Sequence, residues 1–277
     1  MLKILLLLTL SLNAYSQQIT GTISDQSSQQ PIPYASIYYK NTDIGTYADA
    51  TGKFKIPKLI DTLIISTLGY EKQIYPINHN TTTININLQP NIIHLNEISI
   101  SANKKTHKTS GKKLRLGNLS SKKDIHVSGS KSHSIAYLVK NPGNLQAQIK
   151  AIHYNINSKF SQPNEALVRP QLYRIDPQTG KPGESILMNP NIIHVKKGNQ
   201  PLVINLNHLG ITLPPEGIYI GLEWLGTATW YTLSKANKPS TVYMKFMEKD
   251  WQIRPPKKQL NKTYFEEPNF SISVLAY

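Results

Sequence analysis

Thr82-Thr83-Ile84-Asn85-Ile86-Asn87-Leu88 decides the reading of the first third of the chain. Ile84, Ile86 and Leu88 share one face of an extended strand, with polar residues opposite them; a helical period would scatter them. Working outward, Tyr70 to Ile77 keeps the same alternation, and Leu63 to Thr67 is a nearly continuous apolar run. Gly45 and Gly52 mark hairpins around Thr46-Tyr47 and Phe54-Lys55-Ile56, while Pro31 and Pro33 bound the turn before Tyr34 to Tyr39. Gln18 to Ser24 begins the series, and Ile98 and Ile100 close it. Short strands at this spacing, without an amphipathic helix, predict a small β-sandwich.

The pattern stops between Asn103 and Lys123, where Lys, Ser, Thr, Gly and Asn dominate. That composition predicts a flexible basic linker at 103–123. From Asp124 the chain is β-rich again. Strands are expected at Ser134 to Leu138, Gln146 to Asn155, Val168 to Ile175, Leu202 to Leu206, Gly217 to Leu225 and Asn269 to Ala276. The fold class is therefore all-β: a small sandwich at 17–102, then a larger, jelly-roll-like sandwich at 124–277.

Lys3 followed by the apolar run Ile4 to Leu12, then Ala14-Tyr15-Ser16, reads as a signal peptide over 1–16. The run falls short of the about 20 residues that a spanning helix needs. The chain has no cysteine, which excludes disulfides, thiolate metal sites and a cysteine nucleophile. Its formal net charge is +15. Lys104, Lys105, Lys108, Lys112, Lys113, Arg115, Lys122 and Lys123 supply more than half of that excess, in a stretch without Asp or Glu. They are the candidate electrostatic contacts with an anionic partner.

Gly21-Thr22-Ile23-Ser24-Asp25 and Pro31-Ile32-Pro33-Tyr34-Ala35-Ser36-Ile37 resemble the opening of the carboxypeptidase-like regulatory domain. Gly45-Thr46, Asp49, Gly52-Lys53-Phe54, Leu68-Gly69-Tyr70 and Leu95 to Ala102 continue that pattern in order. The resemblance implies a transthyretin-like sandwich with no catalysis of its own, in an exported protein of Bacteroidota. Such domains also precede TonB-dependent receptors, but the chain after Ala102 is too short for a plug and a large barrel. The second half is similar to an uncharacterised β-sandwich that follows this domain in some exported Bacteroidota proteins. Tyr173-Arg174-Ile175-Asp176, Gly180-Lys181-Pro182-Gly183 and Gly217 to Trp224 carry that similarity.

His94-Leu95-Asn96-Glu97 has the spacing by which zinc carboxypeptidases supply two metal ligands, with His194 or His208 imaginable as a third. A catalytic zinc also needs an open position and a base, and the quartet falls on the last strand of a non-catalytic sandwich. Ser120-x-x-Lys123 and Ser128-x-x-Lys131 have serine–lysine spacing, in or beside a segment where both residues abound. Neither pattern supports a catalytic assignment, and neither a metal nor a cofactor is expected. Trp230, Tyr231 and Trp251 are the candidate binding aromatics, whereas Trp224 reads as core.

These features predict a non-catalytic, exported binding or structural protein of the periplasm or outer-membrane surface. The first sandwich would be a spacer or docking unit and the second the recognition unit. Envelope glycan, the anionic outer-membrane surface or another envelope protein are the expected partners, and nucleic acid is not. The alternatives are a hydrolase acting on envelope glycan or peptide, or an accessory subunit of a TonB-dependent uptake system.

Overall fold

A computed structural model describes residues 17–91, 111–119, 125–129, 131–157, 167–187, 192–195, 199–226, 230–236, 241–259 and 262–277. The expected signal peptide, the exit strand at 95–102 and linker positions 103–110 and 120–123 lie outside the described residues. The chain divides into two compact units, Met1–Ile93 and His94–Tyr277.

The first unit contains β1 (Gln18–Asp25), β2 (Ser36–Tyr39), β3 (Gly45–Tyr47), β4 (Lys53–Pro57), β5 (Thr62–Ser66), β6 (Gln73–Pro76) and β7 (Thr83–Leu88). They form two sheets, ordered β4-β1-β7 and β3-β2-β5-β6. The alternation in β7 does what its sequence predicts: Ile84, Ile86 and Leu88 are buried and the residues between them exposed. They meet Ile37 and Tyr39 of β2 and Leu63 and Ile65 of β5 in one core between the sheets. Buried polar atoms find partners, as the Tyr39 hydroxyl donates to the Pro57 carbonyl at 2.9 Å and accepts from the Leu59 amide at 3.0 Å.

Gly21 sits on central strand β1, in register with Phe54 on β4 and Ile84 on β7. A Cβ there would lie 2.3 Å from the Ile84 carbonyl oxygen and 2.5 Å from the Phe54 ring. Backbone cannot yield as a surface side chain does. Gly21→Ala is therefore expected to destabilise this unit by about 1–3 kcal/mol through overpacking, read as a lower urea midpoint. An unchanged midpoint would mean that the Phe54 ring does not cover this strand.

The second unit begins with β8 (Lys112–Gly117), β9 (Ile125–Ser128), β10 (His133–Val139), β11 (Ala147–Asn157) and β12 (Leu167–Ile175). It continues with β13 (Pro182–Ser185), β14 (Ile193–His194), β15 (Asn199–Asn205), β16 (Ile218–Trp224) and β17 (Trp230–Ala236). It ends with β18 (Val242–Phe246), β19 (Gln252–Ile253), β20 (Lys257–Gln259), β21 (Lys262–Pro268) and β22 (Phe270–Ala276). One sheet runs β13-β12-β16-β10-β18-β19, with β14 on β12; the other runs β20-β21-β17-β11-β22-β8, with β15 on β11 and β9 on β17. Ile218, Ile220, Leu222 and Trp224 of β16 join Ile149, Ile152 and Tyr154 of β11 and Phe270, Ile272 and Val274 of β22 in the core between them. Tyr154 also ties the sheets together, its hydroxyl donating to the Gly221 carbonyl at 2.7 Å.

β8 corrects the linker reading. Lys112 to Gly117 is an edge strand antiparallel to β22, with Leu114 opposite Val274 and Leu116 opposite Ile272. Both leucines pack against the core, while Lys112, Lys113 and Arg115 are exposed. The alternation is that of a half-buried strand, and the density of charge reflects its solvent face.

Candidate binding groove

The groove grows out of a register fault. Along β11 burial alternates through Ala147 and Ile149, then changes phase and resumes at Ile152, Tyr154 and Ile156. The pairing with β22 slips between Ile149 and Ala151, so Lys150 is the extra residue of a β-bulge. A bulge of this kind re-aims a side chain without ending the strand. It leaves Lys150 beside the outer face that β11 shares with β22 and β8.

On that face Lys113 of β8 pairs with Leu275 of β22, which pairs in turn with Gln148 of β11, and Arg115 pairs with Ser273, which pairs in turn with Ala151. Lys113, Arg115, Lys150, Asn207, Ser273 and Leu275 line a recess of about 490 Å³, with no acidic residue among the described residues of its lining. Arg115 is oriented, because its Nε donates to Ser271 Oγ at 3.1 Å. Ser271 is only 2% exposed, which gives the guanidinium a fixed anchor. The terminal nitrogens of the guanidinium, which grip oxyanions in pairs, take no part in that bond. Lys150 Nζ donates to Gln148 Oε1, which also accepts from the Tyr277 hydroxyl at 3.3 Å.

Beside the recess, His153 Nε2 lies 2.6 Å from Ser273 Oγ. The pair has the contact distance of a nucleophile and base but not their surroundings. Burial lowers the His153 pKa below its ordinary value, and the positive charge of Arg115 lowers it further. A catalytic base requires the opposite, a carboxylate that stabilises the imidazolium, and none hydrogen-bonds to His153 among the described residues. Ser273 also stands mid-sheet between β8 and β11, where backbone amides serve the ladder and leave no oxyanion hole.

The structure brings two of the sequence candidates, Lys113 and Arg115, into one site. Lys112 is exposed on the same strand but does not line the recess. Lys104, Lys105, Lys108, Lys122 and Lys123 lie outside the described residues. Trp230 and Tyr231 begin β17, paired with Asn157 and Ile156. Trp251 is buried at 8% exposure and stacks edge-on with Tyr173, ring centroids 5.4 Å apart, within a small cluster that includes Ala136 and Tyr219. Lys245 Nζ caps its ring at 4.9 Å from the centroid. Trp251 thus closes the outer face of β16 rather than offering a free face for stacking. His94 and Glu97 lie outside the described residues, His194 is on β14, and His208 is on the short 3-10 turn Asn207–Leu209. No group of three metal-ligating side chains occurs among the described residues.

The strand order and core of the first unit now meet an independent comparison. Residues 19–100 match the CarboxypepD_reg-like domain. The quoted motifs from Gly21 to Tyr70 fall inside that match, which covers β2 to β7 and all of β1 but its first residue; the quoted stretch Leu95 to Ala102 runs two residues past its end. The match ends at residue 100, before β8 and the other strands that carry the groove. Among curated proteins, none matches the chain. Among solved structures, the cysteine protease and lectin-like domains of Cwp84, a surface layer associated protein of Clostridium difficile, align over 88% of this chain and 59% of their own. That alignment has 8% identity and a TM-score of 0.38. A candidate carbohydrate binding protein from Bacteroides uniformis aligns over 82% of this chain and 98% of its own, at 10% identity and a TM-score of 0.23. A candidate membrane-associated protein of unknown function from Bacteroides fragilis aligns over 94% and 97%, at 12% identity and a TM-score of 0.21. At these TM-scores the likeness carries no inference about function.

Proposed function

We propose that this chain is a non-catalytic, exported binding protein of the cell envelope. The CarboxypepD_reg-like sandwich serves as spacer or docking unit, and the larger sandwich engages an anionic envelope partner. The observation that carries this reading is the recess on the β11-β22-β8 face, where an anchored guanidinium and two ammonium groups converge with no carboxylate among the described lining residues. Such a concentration of one sign attracts oxyanions and gives association that weakens with salt. The Ser273–His153 pair lacks the surroundings of a hydrolase, so binding is the chemistry the face supports.

Fractionation of the native host's envelope tests this directly. The protein is expected to pellet with the membrane fraction and to be released by washes of rising salt. Charge reversal by Lys113→Glu and Lys150→Glu together is expected to shift most of the pelleted protein into the soluble fraction at low salt. Salt-resistant pelleting, or a reversed variant that pellets like the parent, would remove the groove as the contact.

A further inference from the structure

We propose that the groove is a subsite for a single strand of acidic polysaccharide, with Arg115 reading a carboxylate or sulfate and Ser273, Leu275 and Asn207 contacting the sugar ring. This rests on the reading of the larger sandwich as an anion-recognition unit and assigns its ligand.

Lys113 and Arg115 are two residues apart on one face of β8, so their Cα atoms are about 7 Å apart along the strand. Lys150 belongs to β11, two strand positions from β8 across β22, a separation of about 10 Å. The cations therefore stand as two walls over a floor contributed by β22. That floor is not cationic. It presents the Ser273 hydroxyl and the Leu275 side chain, with the Asn207 amide at the rim. A pyranose ring offers the matching surface, since its hydroxyls take hydroxyl and amide partners and its C–H face takes the leucine. An acid group carried by the same ring then falls within reach of the walls.

Other polyanions match less of this arrangement. Single-stranded nucleic acid is held by aromatic stacking as well as charge, and no aromatic side chain is among the described residues that line the recess. A membrane surface is met by protruding basic and apolar residues, whereas here the neutral groups are recessed between the charges. Arg115 carries the selectivity. Its Nε is committed to the nearly inaccessible Ser271, so the fork cannot swing freely and its terminal nitrogens are held for a two-oxygen acid group.

Isothermal calorimetry with the purified chain tests the assignment, using polygalacturonate oligosaccharides, the same oligosaccharides after carboxyl reduction, a sulfated dextran, and vesicles of anionic phospholipid. An acidic sugar polymer is expected to bind, and the carboxyl-reduced form at least about tenfold more weakly than its parent, since charged hydrogen bonds are lost. Arg115→Gln is expected to weaken binding of the acidic polymer about tenfold, and Arg115→Lys several-fold because charge remains but the fork is gone. Lys140→Gln, an exposed lysine outside the groove, should leave affinity unchanged. The thermal midpoint of Lys140→Gln should stay with the parent and those of the Arg115 variants should fall only by the loss of the bond to Ser271, leaving all three folded at the assay temperature, which separates lost contact from lost fold. Equal affinity for acidic and reduced polymers, or an Arg115→Gln variant that binds as well as the parent, would overturn the proposal. Binding to vesicles without binding to either acidic polymer would overturn it while leaving the anion-binding reading in place. Failure to bind any anionic probe would overturn both.

Discussion

Glu266→Gln is expected to destabilise the larger sandwich by about 3–5 kcal/mol, the cost of stranding a buried charge. Glu266 lies on β21 of one sheet and Arg254 just after β19 of the other, so their ion pair closes one edge of the sandwich across its core. The Glu266 side chain is 2% exposed and that of Arg254 is 13%. Lys257 Nζ adds a second contact at 3.2 Å, but its side chain is half exposed and contributes little. Arg254 also donates from Nη1 to Met244 Sδ at 3.2 Å, and its buried Nε has no hydrogen-bond partner among the described residues, so without the carboxylate the guanidinium is poorly satisfied. Burial raises the Glu266 pKa, but the hydrogen bonds and positive charges of Arg254 and Lys257 outweigh it, and the net shift is downward from 4.5. A carboxyl with a lowered folded-state pKa contributes stability that is present above the unfolded value and lost as pH falls through the folded one. The gap between parent and Glu266→Gln should therefore be full at neutral pH and narrow below the carboxylate range. Urea unfolding at several pH values reads both effects. The double replacement Glu266→Leu with Arg254→Met should recover most of the loss, because it removes both charges instead of orphaning one. A double variant as unstable as the single one would show that the pair's geometry, and not its unbalanced charge, is what holds this edge.

How much of this was legible in the sequence depends on the range of the interaction. β7 and β16 were plain, because alternation in the one and a sustained apolar run in the other are local patterns, and both strands lie where those patterns put them. β8 was not, because a window of lysines looks like a solvated linker until Leu114 and Leu116 are given partners, and those partners sit more than 150 residues away on β22. The bulge left a trace: Ile149, Ile152 and Tyr154 break the parity of β11, a signal that period-two reading treats as noise. The groove itself could not be seen. Strand pairing brings Lys113, Lys150 and Ser273 together, the turn after β15 adds Asn207, and no spacing along the chain records it. Trp251 shows the same limit in reverse. The sequence offers it as a binding aromatic, but Tyr173 and Tyr219 arrive from distant strands and pack against it.

Trp224→Ala is expected to cost the larger sandwich about 3–5 kcal/mol, and its coupling to Gly129 gives the sharper test. Trp224 ends β16 opposite Val168, is 1% exposed, and is among the largest fully buried side chains in the protein. Removing the indole takes away a large apolar surface, and flanking strands tied into ladders cannot collapse into the space. Gly129 packs directly on the ring. A Cβ at that position would fall 1.9 Å from Trp224 Cε2, closer than any two such atoms can stand. Gly129→Ala in the parent must therefore displace either the backbone or a ring held on all sides, and is expected to destabilise by about 1–3 kcal/mol. In the Trp224→Ala background the added methyl enters the vacated volume, so its cost should vanish or change sign. The two substitutions are thus expected to be strongly non-additive in a double-mutant cycle measured by urea unfolding. Additive costs would mean that Gly129 does not lie against the indole. The close approach would then have no part in fixing where β10 enters the sheet.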